Sequence, residues 1–355
     1  MRERQKKRMR KERNIKIAVT LVIILIVIIG IICAVIAATT NKKHTVDRKN
    51  GSDVQTEGKI KKKKVQTASD ADRSDKFKKI KYAKKSPDYT DILSPDVLSP
   101  YVALLDVNSN EIIAGKSVDA RINPASMTKV MTLIVSADNI KDFNQTFTMT
   151  ADIIDPLYRQ SASRAGFDPD EVITAKDMLY GLILPSGADA SVGLATMIAG
   201  SEENFVKLMN DKCSEIGLKN THFMNTSGLY DENHYTTPLE MAMILEYAMT
   251  NDTCREVLST YQYTTSSTPQ HPEGILLSST MFSRMYGNEV PTVNIVAGKT
   301  GYTVEAGNCL VSYAERGNDK YVVVTAGASN RWHVIYDDFQ IYGNFIPNPP
   351  GYVKQ

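Results

Sequence analysis

The chain has 355 residues, of which 42% are hydrophobic and 23% are charged, and this composition excludes wholesale disorder. Four cysteines in a chain of this length exclude a disulfide-stabilised scaffold. The formal net charge of +2 conceals two unlike regions, because residues 1–90 carry 25 basic and 9 acidic side chains whereas residues 91–355 carry 17 basic and 31 acidic. We therefore expect the basic N-terminal region and the acidic body to be separate parts of the protein.

The first predicted element is a transmembrane helix. Residues 17–38 form a run of 22 residues without a charge, and a dense basic segment, residues 1–16, precedes it. A helix of that length, at about 1.5 Å per residue, crosses roughly 30 Å of hydrocarbon. The positive-inside rule places residues 1–16 in the cytoplasm and everything after residue 38 outside the cell. A cleaved signal peptide is the alternative, with a weak cleavage site at Ala37 and Ala38, but its apolar core is typically shorter.

Residues 39–90 are predicted to be a disordered basic linker. They are rich in Lys, Asp, Ser and Thr, include the run Lys59–Lys64, and show no sustained apolar period. The predicted position outside the membrane argues against nucleic-acid binding, and attraction to anionic lipids or polymers is the alternative to simple solvation. We expect the folded body to span residues 91–347 and residues 348–355 to form a short tail.

The folded body is predicted to have strands at both ends and helices between them. Two strands flank a turn at Asn108–Asn110, and a helix begins near Pro124, with Asn123 as its cap. The other predicted helices span residues 175–199, 201–216 and 237–250, and the other strands span residues 292–297, 308–314 and 321–326. This order predicts an α/β (α+β) domain whose sheet joins both ends of the segment.

Two side chains at the start of the helix predicted near Pro124 have the spacing of a nucleophile and its base. Ser126 and Lys129 form an S-x-x-K sequence, and positions i and i+3 share one face of a helix. The helix N-terminus also provides backbone N–H groups beside the serine. This arrangement suits acyl transfer by an activated hydroxyl. An ordinary surface serine and helix lysine are the alternative, because one such match is expected by chance in a chain this long.

Two further motifs are weaker when taken alone. The tripeptide Lys299, Thr300 and Gly301 ends an apolar run, where a sheet edge can pair with an extended peptide. Ser186 lies at a break after a helical run, and its hydroxyl is suited to relay a proton. A strand followed by a turn and a simple Pro-Ser-Gly turn are the respective alternatives.

Together the three motifs are far more specific. Their separations are 60 residues from Ser126 to Ser186 and 113 from Ser186 to Lys299, and their order is that of class A β-lactamases and penicillin-binding proteins. The surrounding sequence, above all INPASMTKVMT, LILPSGADA and VAGKTGYTVEAGN, resembles low-molecular-mass penicillin-binding proteins of the D-alanyl-D-alanine carboxypeptidase family over about residues 95–345. The resemblance implies a serine β-lactamase-like domain, with an antiparallel sheet flanked by helices.

The resemblance also implies a serine acyl-enzyme mechanism at the cell-wall side of the membrane. Ser126 attacks the carbonyl of the penultimate D-alanine in a peptidoglycan stem peptide. Lys129, kept neutral by burial and by the nearby Lys299 cation, takes the serine proton. Ser186 helps to pass a proton to the departing D-alanine, and water then releases the acyl group.

The resemblance further assigns the substrate-binding residues. Lys299 and Thr300 hold the terminal carboxylate of the substrate, and Gly301 allows its close approach. The backbone N–H groups of Ser126 and Tyr302 form the oxyanion hole. The expected partners are stem peptides, β-lactams as covalent inhibitors, and the membrane through the N-terminal helix. No metal or other cofactor is expected, because neither CxxC nor HExxH occurs in the sequence.

One departure from the family pattern leaves alternatives open. The middle motif of the family usually reads Ser-x-Asn, but this chain has Ala188 at the third position. This alanine motivates the alternative of a non-catalytic protein that binds peptidoglycan or penicillin. A β-lactamase or D,D-endopeptidase is a separate alternative, because the same fold supports several activities.

Other polar residues are expected to have structural or solvent-exposed positions. We predict a structural hydrogen-bonding role for His234, because a lysine already fills the role of base. Glu202 and Glu203 are predicted to be solvated on an amphipathic helix. The three cysteines that follow the apolar run allow at most one disulfide: Cys213, Cys254 and Cys309.

Overall fold

The structure of the protein is a computed structural model that describes residues 76–287 and 290–347. The predicted cytoplasmic segment, the predicted transmembrane helix at residues 17–38 and the predicted tail at residues 348–355 lie outside the described residues, as does most of the predicted linker. Within the described residues, no helix combines the length and the apolar character needed to cross a membrane.

Ten strands and nine α-helices make up the described part of the chain. The strands are β1 (Lys84–Asp91), β2 (Tyr101–Asp106), β3 (Glu111–Lys116), β4 (Thr146–Thr148), β5 (Val172–Thr174), β6 (Gln262–Thr264), β7 (Leu276–Ser278), β8 (Asn294–Thr303), β9 (Gly307–Arg316) and β10 (Asp319–Ala328). The helices are α1 (Lys129–Asn139), α2 (Ala151–Arg159), α3 (Ala175–Ile183), α4 (Ala188–Ala199), α5 (Glu202–Ile216), α6 (Pro238–Ala248), α7 (Asp252–Leu258), α8 (Phe282–Met285) and α9 (His333–Asn344).

A six-stranded sheet in the order β1-β3-β2-β10-β9-β8 forms the centre of the fold. β2 pairs antiparallel with β10, so the two ends of the folded segment meet in one sheet, as the sequence predicted. The predicted strands at residues 292–297, 308–314 and 321–326 correspond to the longer strands β8, β9 and β10. Short β4–β5 and β6–β7 pairs lie apart from this sheet.

Both faces of the sheet are covered, because alternate residues of its central strands enter different cores. Val102 and Leu104 of β2 join Ile341 in a cluster on the α9 side. Ala103 and Leu105 point the other way, into the large cluster that contains the helices between β3 and β8. Because a one-residue shift would exchange these two sets, the two buried faces fix the register of the strand.

Helix α1 lies at the centre of the helical layer. Its residues from Lys129 to Ala137 are all buried, and it packs against α3, α4, α5 and α6. A helix buried on every side has no need of a polar face. The first residue of this buried helix is a lysine, which places an amine in the core.

The sheet differs from the prediction at its outer edge. β1 pairs with β3 in parallel, so the sheet is mixed and not wholly antiparallel. β1 also lies within residues 39–90, so residues 76–90 belong to the fold and the predicted linker is wrong over that stretch. The strand was missed because it is an exposed edge strand with few apolar residues, held mainly by backbone pairing.

The predicted helix at residues 175–199 is two helices with a break between them. α3 ends at Ile183, α4 begins at Ala188, and the intervening segment contains Pro185 and Ser186. Ser186 has a φ of +69°, a left-handed conformation that cannot continue a helix. The break places the middle motif on a loop between two buried helices.

Candidate active site

The Ser126 turn is fixed by its neighbours. Residues 125–128 form a 3₁₀ turn that leads into α1, and Asn123 Oδ1 accepts the Ala125 N–H at 2.9 Å. Ala125 has a φ of +47°, an uncommon conformation for a residue with a side chain. A Cβ at Gly228 would lie 1.8 Å from the Ala125 carbonyl oxygen, and one at Gly301 would lie 3.1 Å from the Ser126 nitrogen. Glycine is therefore required at position 228, and at position 301 it avoids crowding against the serine backbone.

Lys129 meets Ser126 as the spacing predicted. Its Nζ lies 3.1 Å from Ser126 Oγ and donates to the Ser227 carbonyl at 2.6 Å. Burial lowers the pKa of Lys129 to about 7, although the carboxylates of Asp189 and Glu202 act in the opposite direction. A large fraction of this amine is therefore neutral near pH 7 and can accept a proton. Burial, and not the Lys299 cation, is the main cause.

The carbonyl that binds Lys129 belongs to a tightly held segment. Glu202 Oε1 accepts hydrogen bonds from the Thr226 N–H at 2.9 Å and from Thr226 Oγ1 at 2.7 Å. The Thr226 carbonyl accepts from Thr132 Oγ1 and from Ser191 Oγ, both at 2.7 Å. The prediction that Glu202 is merely solvated is therefore wrong, because its carboxylate is a hydrogen-bond acceptor next to the site.

Ser186 is placed on the loop between α3 and α4, but it does not join the Ser–Lys hydrogen bonds. Its Oγ is buried and has no hydrogen-bond partner among the described residues. Asp189, three residues further on, is close enough to affect the protonation of Lys129. The Ala188 N–H donates to the Ser163 carbonyl at 2.8 Å, which ties the loop to residues 161–166.

The Lys-Thr-Gly strand lines the other side of the serine. β8 is an edge strand of the sheet, and Gly301 brings it so close to the serine that a Cβ there would lie 3.1 Å from the Ser126 nitrogen. Lys299 Nζ donates to the Thr300 carbonyl at 2.9 Å, and Thr300 Oγ1 lies 2.7 Å from Thr280 Oγ1. Tyr302 is 60% exposed.

Lys299 is as deeply buried as Lys129. Burial lowers its pKa well below the ordinary value, and the cations of Lys129 and Arg284 add to the effect. Two buried ammonium groups in one site disfavour each other, so the site resists holding both protons at once.

His234 has the structural role that the sequence predicted. Its Nδ1 accepts the Met224 N–H at 3.2 Å, so Nε2 carries the proton and donates to Thr128 Oγ1 at 2.8 Å. Burial lowers the pKa of His234 to about 4. The neutral imidazole therefore anchors the turn that carries Ser126.

Several residues of the site were not found from the sequence. Ser227, Asp189 and Thr280 join the candidate catalytic groups through contacts between distant parts of the chain. The stretch around Ser227 resembled the family, but nothing in its composition distinguishes a backbone carbonyl that accepts from a lysine. Cys213, Cys254 and Cys309 are all buried, and no disulfide joins any two of them.

Sequence comparisons with known proteins point to one family. A family model described as D-alanyl-D-alanine carboxypeptidase, Peptidase_S11, matches residues 89–330. The D-alanyl-D-alanine carboxypeptidase DacF of Bacillus subtilis is 33% identical over 249 residues, which cover 70% of this chain and 61% of that protein. DacA of Escherichia coli is 30% identical over 243 residues, which cover 66% of this chain and 57% of that protein.

Solved structures show the same fold. The crystal structure of a Streptomyces DD-transpeptidase aligns with a TM-score of 0.63 at 25% identity, covering 71% of this chain and 99% of that one. A D-alanyl-D-alanine carboxypeptidase from Mycobacterium tuberculosis aligns with a TM-score of 0.62 at 26% identity, covering 74% and 97%. The chain belongs to the D-alanyl-D-alanine carboxypeptidase family.

Proposed function

We propose that the protein is a membrane-anchored serine D-alanyl-D-alanine carboxypeptidase that removes the terminal D-alanine from peptidoglycan stem peptides. The observation that carries this proposal is the Ser126–Lys129 pair. A hydroxyl lies 3.1 Å from a buried amine whose pKa is about 7, so a base is already in place beside a nucleophile.

Acylation begins when Ser126 Oγ attacks the carbonyl carbon of the penultimate D-alanine and gives its proton to Lys129 Nζ. The backbone N–H groups of Ser126 and Tyr302 stabilise the oxyanion, and such donors typically contribute about 3–4 kcal/mol each. The C–N bond then breaks, and the departing D-alanine amine takes the proton from Lys129 through Ser186. Water attacks the resulting ester and regenerates the serine.

The substrate lies along β8 in this proposal. An edge strand offers unpaired backbone groups to an extended peptide. The Lys299 side chain and the Thr300 hydroxyl hold the terminal carboxylate, and the lack of a side chain at Gly301 lets β8 lie directly against the Ser126 backbone. A β-lactam that enters the same place forms a stable ester with Ser126.

Membrane anchoring and an extracellular position are part of the proposal. Their support comes from the uncharged run at residues 17–38 and the basic segment before it. The linker that follows lets the catalytic domain reach the wall, where stem peptides occur.

Labelling with a fluorescent penicillin tests the proposed nucleophile. The wild-type protein is expected to acquire a covalent label that survives denaturation, and Ser126→Ala is expected to acquire none while keeping its fold by circular dichroism. A label on Ser126→Ala, or an unlabelled folded wild-type protein, would contradict the mechanism. Release of D-alanine from a stem pentapeptide then identifies the reaction.

A DD-transpeptidase is the second candidate, favoured by the likeness to the Streptomyces DD-transpeptidase. Both reactions share the acyl-enzyme and differ in whether water or an amine attacks it. A carboxypeptidase releases D-alanine at a rate unaffected by added D-amino acid, whereas a transpeptidase yields an exchanged peptide. Turnover of penicillin would instead indicate a β-lactamase, and reversible binding without a label would indicate a binding protein.

A further inference from the structure

We propose that Glu202 is a positioning residue for the reaction: its carboxylate holds the carbonyl that orients Lys129 and, by its charge, sets how readily Lys129 gives up its proton. The inference rests on the proposed function, in which Lys129 is the base. It assigns a role to a side chain on α5 that none of the three sequence motifs contains.

The first support is a short chain of hydrogen bonds. One oxygen of Glu202 accepts both the backbone N–H and the hydroxyl of Thr226, at 2.9 and 2.7 Å. The next residue, Ser227, supplies the carbonyl that accepts from Lys129 Nζ at 2.6 Å. Movement of Thr226 would therefore displace the acceptor that fixes the direction of the lysine side chain.

The second support is that the segment has neutral partners as well. The Thr226 carbonyl is held by Thr132 and Ser191, and Asn225 Oδ1 accepts the N–H of Gly228 at 2.7 Å. Neutral hydrogen bonds thus hold this loop together with the carboxylate, so the fold should survive removal of its charge. A carboxylate at position 202 adds a negative charge that raises the pKa of the buried Lys129 amine, against the effect of burial.

Two carboxylates, Asp189 and Glu202, raise the pKa of Lys129, and two other groups lie near enough for Lys129 to lower their own pKa values. Asp189 on α4 is buried, and it accepts the N–H groups of Ala165 and Gly166 at 2.8 and 3.1 Å. The pKa of Lys299 on β8 is lowered mainly by burial and further by the Lys129 cation. His234 is neutral above about pH 4.

Glu202 is the other carboxylate, and it differs from Asp189 in its access to water. It lines an open groove of about 600 Å³ between α2 and the loop at residues 225–230, together with Ser227. Its carboxylate therefore keeps contact with solvent while it acts on the buried lysine. Among these four groups, Glu202 alone both orients the lysine and supplies negative charge to it.

The variant Glu202→Gln tests the proposal, because it keeps an acceptor oxygen for Thr226 and removes the charge. The measurement is the second-order rate of acylation by fluorescent penicillin between pH 5 and 9. With the charge removed, the protonated amine is less stable, so the acidic limb of the profile shifts to lower pH. We expect the ratio of the rate at pH 6 to the rate at pH 8 to rise roughly fivefold.

Two further variants separate the effect of the Glu202 charge from the effect of its hydrogen bonds. Glu203→Gln removes one charge from the same helical turn, at a fully exposed side chain that does not act on Lys129, and its profile should match that of the wild type. Glu202→Ala removes the acceptor as well, and should lower the rate at every pH by about tenfold. If Glu202→Gln lowers the rate without moving the limb, Glu202 is only structural and the proposal is wrong.

A direct titration makes the result independent of activity. Lysine-selective NMR, with Lys129 assigned by loss of its signal in Lys129→Met, should show a lower pKa for Lys129 in Glu202→Gln and no change in Glu203→Gln. An unchanged pKa in Glu202→Gln would overturn the proposal. A wild-type protein that takes no penicillin label would contradict the proposed function, and the titration would still decide the role of Glu202.

Discussion

The two sides of the candidate site differ in how completely their polar groups are paired. On the Ser126 side, Lys129 contacts both the serine and the Ser227 carbonyl, and Thr128 is held by His234. On the Ser186 side, the serine hydroxyl is buried without a partner among the described residues. The neighbouring position 188, where the family usually has an amide, is an alanine.

We call the Ser126–Lys129 side the preassembled half and the Ser186 side the incomplete half. A buried hydroxyl without a partner typically costs about 1–3 kcal/mol, so its presence in a native structure needs a physical reason. In the preassembled half, Lys129 already lies beside Ser126 and needs no further contact to take its proton. We infer that the Ser186 half is completed by the substrate, whose departing amine supplies the missing hydrogen-bond partner.

Of the substitutions that distinguish the two halves, removal of the Lys129 amine should have the largest effect on the acylation rate. We expect Lys129→Met to lower the acylation rate by about a thousandfold, because the preassembled half then lacks its base and Ser126 keeps its proton. The measurement is the rate of covalent labelling by fluorescent penicillin. Methionine fills a similar apolar volume, so the midpoint of thermal unfolding serves as the control for folding. A rate within tenfold of the wild type would show that another group is the base.

Removal of the Ser186 hydroxyl should have the next largest effect. Ser186→Ala is expected to slow D-alanine release by about a hundredfold, because the relay to the leaving group is lost. Its free energy of unfolding should not fall and should rise by about 1 kcal/mol or more, because the variant removes a buried hydroxyl that makes no hydrogen bond.

Ser191→Ala provides the matched control for stability. Ser191 is also a buried serine, but its hydroxyl donates to the Thr226 carbonyl at 2.7 Å, and its loss should cost about 1 kcal/mol. Urea unfolding of both variants measures the difference. Equal losses of stability would show that Ser186 is bonded in solution and that the two halves of the site do not differ.

The preassembled half was also the half that sequence could predict. Ser126 and Lys129 are three residues apart, so helical geometry alone brings them together. Ser227 is 98 residues from Lys129 in sequence, and only the packing of the loop at residues 225–230 joins them. The same reason explains why Glu202 was taken for a solvated side chain.

The elements of the fold also differ in whether the sequence could predict them. β2 and β10 were predicted because buried strands show continuous apolar runs, and they bring both ends of the body into one sheet. β1 was missed because an exposed edge strand has no such run, and its polar sequence resembles that of a linker. The break at Ser186 depends on a left-handed residue that a helical pattern does not reveal.

The pH dependence of acylation should report the protonation of Lys129, the base of the preassembled half. Ser126 transfers its proton to a neutral Lys129, and the pKa of that amine is about 7. The rate should therefore rise about tenfold from pH 5 to pH 6, when the neutral fraction is small, and level off above pH 7. His234 cannot cause this limb, because its pKa is lowered to about 4.

Stopped-flow acylation by a chromogenic β-lactam measures the profile, with Ser186→Ala as the control. That variant should be slower at leaving-group transfer yet keep the same midpoint, since a serine hydroxyl does not titrate in this range. A midpoint near pH 4, or one that moves in Ser186→Ala, would mean that Lys129 does not control the protonation of the site.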